Sequence, residues 1–169
     1  MAPNILSALQ GPDYFFENVN SLDSVRMHRI LSTVLSCGHG GEVIIKIKDN
    51  GFLLDEPGFD FTIYENAFRI AGTKLIFQEF AYVGISESLE TNAVKWFDCD
   101  PLNNILQGCV GAVPTAEGGD SFDLAELGVN KIKYIWIKDT GQNKNFPSQW
   151  PTEGVDLDAM RFSHAYSNE

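Results

Sequence analysis

No stretch of this sequence approaches the ~20 consecutive apolar residues that a membrane-spanning helix needs, so no transmembrane segment is read in it. Positive charge is scarce. Twelve Lys and Arg stand against 23 Asp and Glu, for a net charge of −11. A field of that sign repels phosphate backbones and anionic lipid, which argues against general nucleic-acid or membrane-surface binding. It suits solubility and cations, calcium above all. Cysteine is also sparse: three residues, an odd number that leaves one unpaired in any monomer and does not fix the redox compartment by count. The start, Met1-Ala2-Pro3-Asn4, has neither a basic opening nor a long apolar segment, so no signal peptide is read there. A cytosolic chain and a mature exported domain with a new Met1 both stay open on this reading.

Long helical periodicity is missing too. Only a loose amphipathic run near Val25–Leu35 and a helical turn at Asp123–Leu127, with Ser121 or Asp120 as cap, are expected. What the 169 residues do contain is a globular composition, 44% apolar and 21% charged, with enough length for one domain and a core that needs no cofactor. Short alternating runs follow one another from Gly40. Glu42–Lys48 opposes Ile45 and Ile47 to Lys46 and Lys48, then ends in the turn Asp49-Asn50-Gly51. Phe59–Glu65 puts Phe59, Phe61 and Ile63 on one face. Lys74–Phe80, Ala81–Ser86, Ala93–Phe97 and Lys131–Lys138 are further strands, with Ile132, Tyr134, Trp136 and Lys138 sharing a face in the last. A loop, Thr140–Gly154, leads to a final strand at Val155–Phe162. Many short strands divided by Gly, Pro, Asn and Asp predict a single antiparallel sandwich or barrel.

Several of these segments, in order, resemble a family of bacterial secreted or cell-surface β-domains. The match runs through Gly40-Gly41-Glu42-Val43-Ile44-Ile45, Asp49-Asn50, and Gly58-Phe59-Asp60-Phe61-Thr62-Ile63-Tyr64-Glu65-Asn66. It continues with Phe80-Ala81-Tyr82-Val83-Gly84-Ile85-Ser86, Gly118-Gly119-Asp120-Ser121-Phe122-Asp123-Leu124-Ala125-Glu126-Leu127-Gly128 and Gly154-Val155-Asp156-Leu157-Asp158-Ala159. Phe59 and Val155 depart from the family's pattern. The resemblance covers about Leu9 to Ala165 and implies an all-β sandwich of jelly-roll type, similar to galactose-binding or discoidin modules, with short helical turns. It implies export to the cell surface or exterior, with a lipid anchor on the native N-terminus left open, and carries no catalytic residues. It also includes a Cys-Asp-Pro…Gly-Cys loop, so a Cys99–Cys109 disulfide is what the resemblance implies. The segment between them, with Pro101, two Asn and Gly108, suits a closed protruding loop. Two unpaired thiols in a cytosolic protein are the other reading. Cys37 and His39 are too few ligands for zinc, and Cys37 reads as a small core residue that would permit a covalent dimer if exposed. The oligomeric state stays open.

Calcium takes six to eight oxygens from carboxylates, amides and backbone on Gly- and Asn-containing loops. Such groups recur here at Asp49-Asn50-Gly51, Asp55-Glu56, Asp60, Glu65-Asn66, Gly119-Asp120, Asp123 and Asp156-Leu157-Asp158, although no EF-hand loop is present. An extended Asp156–Asp158 would place both carboxylates on one face. A hairpin between the strands flanking Asp49 and Asp60 would bring those two together. Asp49, Asp60, Glu65, Asp156 and Asp158 are therefore the expected calcium ligands, against the plainer reading of solvated surface acids. For an extracellular carbohydrate or protein ligand, Trp150, Tyr64 and Trp96 are the expected aromatic contacts, while Trp136 reads as core. Trp150 lies in the polar loop Phe146–Pro151, which it can equally serve to pack. Catalysis is not expected. Gly84-Ile85-Ser86-Glu87-Ser88 is not a nucleophile elbow, and Gly38–Gly41 lacks the Lys-Ser/Thr of a phosphate loop. The expected function is an exported, non-catalytic binding or adhesion module stabilised by calcium. The alternatives are a strict carbohydrate-binding module and a calcium-independent structural domain of an envelope protein.

Overall fold

A computed structural model of the chain describes residues 4–8, 14–15, 35–47, 51–145, 154–163 and 165–166. Fifteen strands lie within them: β1 (Asn4–Ala8), β2 (Tyr14–Phe15), β3 (Leu35–Ser36), β4 (Glu42–Ile47), β5 (Phe52–Leu54), β6 (Phe61–Glu65), β7 (Phe68–Arg69), β8 (Ile76–Ser86), β9 (Lys95–Trp96), β10 (Cys109–Val110), β11 (Asp120–Phe122), β12 (Lys131–Ile132), β13 (Tyr134–Lys144), β14 (Asp156–Phe162) and β15 (Ala165–Tyr166). Among the described residues the helices are four short 3₁₀ turns, and no helix is long and apolar enough to cross a membrane.

Two sheets pack face to face. The first runs β1-β4-β13-β8-β10, with β7 and β9 also paired to β8; the second runs β11-β6-β14-β2, with β3 also on β14. A small third sheet, β12-β5-β15, completes the set. All pairings are antiparallel except β1 with β4. The alternation read in the sequence supplies the core. Val43, Ile45 and Ile47 of β4, Val83 and Ile85 of β8, and Ile135 and Ile137 of β13 face Phe61 and Ile63 of β6, Phe122 of β11 and Leu157, Met160 and Phe162 of β14. Phe61 stacks on Phe122 with ring centres 5.0 Å apart, and Phe97 packs on both.

The structure revises several element boundaries. Lys74–Phe80 and Ala81–Ser86 merge into one eleven-residue strand, Ile76–Ser86, which pairs with β13 on both sides of an irregularity opposite Phe80. The loop expected from Thr140 starts later: β13 continues to Lys144 across an irregularity between Asp139 and Asn143. The shared face for Ile132, Tyr134 and Trp136 fails, since Ile132 pairs in the third sheet with Leu53 and lies in the core. Trp136 is buried on the opposite face of the first sheet, level with Ile44, and its indole N–H donates to Ser86 Oγ at 2.8 Å. The β4–β6 hairpin does not form either, because β5 intervenes and β4 and β6 belong to different sheets. The turn Leu124–Leu127 is present, but its cap is Asp123, whose Oδ1 accepts from the Ala125 amide at 2.8 Å. Of the run near Val25–Leu35, only Leu35 lies within the described residues, as part of β3.

Candidate metal centre

Acidic side chains gather at two places, one at each end of β6. The first follows from strand register. Pairing of Phe61 with Phe122 between β6 and β11 brings the residues just outside that pair, Asp60 and Asp123, alongside one another. Asp55, on the segment leaving β5, completes a group in which one carboxylate oxygen from each residue lies within 4.8 Å of the other two. Asp60 is closed to solvent, and Asp55 and Asp123 are half-buried. Backbone amides fix the group. Asp60 Oδ1 accepts from Glu56 N at 3.1 Å and Oδ2 from Leu124 N at 2.8 Å, while the Asp60 amide donates to the Phe122 carbonyl at 2.9 Å. Burial pushes the Asp60 carboxyl above its ordinary range, the Leu124 and Glu56 amides oppose that, and the charges of Asp123 and Asp55 add to it. Three hard oxygen donors held this way can hold a metal ion.

At the other end, the core-facing file of residues changes from apolar to acidic on four strands. Glu65 follows Phe61 and Ile63 on β6; Glu79 precedes Ala81 and Val83 on β8; Asp139 follows Ile135 and Ile137 on β13; Asp120 precedes Phe122 on β11. All four are at most 5% exposed. Two of them are committed to the backbone. Asp120 accepts from Gly111 N at 2.7 Å and Val113 N at 2.8 Å. Asp139 accepts from Gly40 N, Gly141 N and Val155 N at 2.7, 2.9 and 3.1 Å. Gly111 is obligatory here: its φ is +86°, and a Cβ on it would run into the Glu79 carbonyl. Glu65 is different. Neither of its carboxylate oxygens has a hydrogen-bond partner of ordinary geometry. Burial, then the charges of Glu79, Asp156 and Asp120, push its carboxyl up to about 9, and the nearby Glu79 amide only partly offsets this.

The five expected ligands therefore separate. Asp60 belongs to the first group, with Asp55 and Asp123. Glu65 belongs to the second, where the charge of Asp156 also acts on it. Asp156 and Asp158 flank the buried Leu157 as an extended segment requires, and the bulge shifts the alternation only beyond them, before Met160; burial raises the Asp158 carboxyl with no acid contributing. Asp49 lies outside the described residues. Sequence reasoning listed Asp55 and Asp123 as acidic but did not group them with Asp60. The signal was available in the pairing of Asp60-Phe61 with Phe122-Asp123, two Asp–Phe steps in mirror order.

Among the aromatic residues, Tyr64 is half-buried on the outer face of the second sheet, its ring close to where a side chain on Gly119 would sit. Trp96 is 41% exposed on the outer face of the first sheet, its indole laid over Gly84, where a Cβ would come within 2.9 Å of the ring. The two rings thus lie on opposite sides of the sandwich. Trp150 is outside the described residues. Cys99 and Cys109 form a disulfide that closes the loop around the 3₁₀ turn Pro101–Asn103. Cys37 is a free thiol packed against the core, raised above its ordinary range by burial and then by Asp139, Asp156 and Glu79. No family model, no curated protein and no solved structure matches this chain.

Proposed function

We propose that this chain is a non-catalytic, exported surface binding or adhesion domain, a β-sandwich of the jelly-roll type whose folded state is stabilised by calcium. The observation that carries the reading is the convergence of Asp55, Asp60 and Asp123 at the junction of β6, β11 and the segment after β5. Carboxylates this close repel one another, and a divalent cation with a preference for oxygen turns that repulsion into attraction. The site ties the segment carrying Asp55 and Asp60 to Asp123, distant in sequence, so metal binding is coupled to folding. The disulfide supports an oxidising, extracellular setting, where calcium is abundant. For ligand contact the sandwich exposes Phe59 and Val113 at one cleft, and Leu102 and Ile105 on the disulfide-closed loop. Exposed apolar side chains of this kind suit a protein ligand. A carbohydrate reading keeps Trp96 as its exposed platform, without Tyr64 beside it.

Thermal unfolding of chelator-stripped, non-reduced protein with and without millimolar calcium tests the reading. A ligand bound only by the folded state at a hundredfold excess over Kd stabilises it by about 2.7 kcal/mol, which raises the midpoint by several degrees in a domain of this size. Asp123→Asn should reduce the shift. Identical melting curves for stripped and calcium-loaded protein would leave a calcium-independent structural domain as the better reading.

A further inference from the structure

We propose that the cleft between the end of β8 and the loop Gly128–Lys131 binds a carboxylated monosaccharide unit, with Lys95 and Lys131 receiving the carboxylate and Glu87, Ser88 and Asn130 the hydroxyls. The cleft holds about 580 Å³, a volume ordinary for small-ligand sites. Cations are scarce in this chain, twelve against 23 acids, yet two of them line this one cleft. Neither is used up by its contacts. Lys95 Nζ donates to the Leu127 carbonyl at 2.9 Å, which occupies one of an ammonium's three N–H groups and anchors the side chain at the wall. Lys131 Nζ lies 3.3 Å from Glu87 Oε2 and 5.5 Å from the centre of the Phe52 ring. That ion pair is solvent-exposed, so shifting Lys131 toward an incoming carboxylate costs little. Glu87 decides the rest of the ligand. Its charge repels a phosphate but accepts hydrogen bonds from hydroxyls, and the Asn130 amide and Ser88 hydroxyl both donate and accept. Ser88 Oγ accepts from the Glu90 amide at 3.3 Å, which leaves its O–H to donate. Ile85 and Val129 supply apolar surface for the C–H face of a ring.

Both walls are set before a ligand arrives. On one, Ser86 Oγ donates to the Ser88 carbonyl at 2.7 Å and accepts from the Trp136 indole at 2.8 Å, while the Ser86 carbonyl accepts from the Lys133 amide at 2.9 Å. On the other, the Val129 amide donates to the Leu124 carbonyl at 3.2 Å and the Asn130 carbonyl accepts from the Asp55 amide at 2.9 Å. A preformed cleft loses less free energy to ordering when it binds. The inference does not rest on the calcium reading, since Asp55, Asp60 and Asp123 are not among the residues that line the cleft.

The test is an amide NMR titration of the full, isotope-labelled chain with D-glucuronate and D-galacturonate, run with calcium and again in chelator, with glucose and acetate as controls. Circular dichroism confirms that each variant is folded. A uronate should shift the Ser88, Lys95, Asn130 and Lys131 amides saturably. Lys95→Gln and Lys131→Gln should each weaken that binding about tenfold, the loss of one charge-assisted hydrogen bond. Glucose, which lacks the charge, and acetate, which lacks the hydroxyls, should each bind about tenfold more weakly than the uronate or not at all. No saturation by either uronate under both conditions overturns the inference, as do saturable shifts confined to other residues or lysine variants that bind like wild type. Acetate or glucose binding as tightly as the uronates overturns it equally. Uronate binding by a protein whose melting ignores calcium leaves this inference standing and the calcium reading failed; a calcium-dependent melting shift without uronate binding does the reverse.

Discussion

Asp60 has two roles that pull in opposite directions. As a backbone acceptor it holds Glu56 and Leu124 in place, and as a charge it sits against Asp55 and Asp123. Asp60→Ala removes both and leaves two amides at a closed site without acceptors, each worth ~1–3 kcal/mol, so urea unfolding in chelator should show a loss of roughly 2–4 kcal/mol. Asp123→Asn should behave otherwise. Its side chain caps only a short 3₁₀ turn, an Asn can still accept from the Ala125 amide, and removing the charge relieves repulsion. In chelator that variant should be within about 1 kcal/mol of wild type, in either direction, and its deficit should appear when calcium is added. A loss of several kcal/mol without calcium would mean that Asp123 is a structural residue rather than a ligand.

At the scale of elements, the disulfide loop is the part whose contribution can be isolated. Cys99 and Cys109 are ten residues apart and the loop between them packs inward through Leu106, against Phe80, while Leu102 faces solvent. Opening the loop with Cys99→Ser and Cys109→Ser should cost about 2–3 kcal/mol in chemical unfolding, mainly by freeing the unfolded chain. The sandwich itself should persist, because β8 keeps its long ladder to β13. Strand type was legible from alternation wherever one face met the core, as in Glu42–Ile47 and Phe61–Glu65. Boundaries were less so. Ile132 changes sheets at Lys133, and no local pattern marks that a strand pair ends one sheet and begins another. The metal candidates show the same division. Asp60 and Glu65 were legible as acids bracketing an alternating strand, but Asp123 is brought to Asp60 by the β6–β11 register, which a single sequence does not print.

For the whole molecule, the arrangement makes stability depend on what neutralises the interior acids. With a net charge of −11, the chain already favours anything that lowers its self-repulsion. Without metal, that neutralising agent is the proton. Burial and the charges of Glu79, Asp156 and Asp120 raise Glu65 to about 9, and burial, opposed by the amides of Val113, Gly111 and Ala112, raises Asp120 to about 7. Both groups hold their protons longer in the folded state than in the unfolded one. Their stabilising contribution is therefore complete below pH ~4, where both states are protonated, and is lost as pH rises through 7 and then 9. Chelator-treated protein should melt at a higher temperature at pH 5.5 than at pH 8.5, the reverse of a domain held by ordinary salt-bridged carboxylates. Saturating calcium should flatten this decline, since a bound cation replaces the proton as the neutralising charge and binds better once the carboxylates ionise. Scanning calorimetry at four or five pH values, with and without calcium, reads both effects. A midpoint in chelator that rises toward pH 8.5 would show that Glu65 and Asp120 are compensated as anions inside the fold, and the proton would then have no place in its stability.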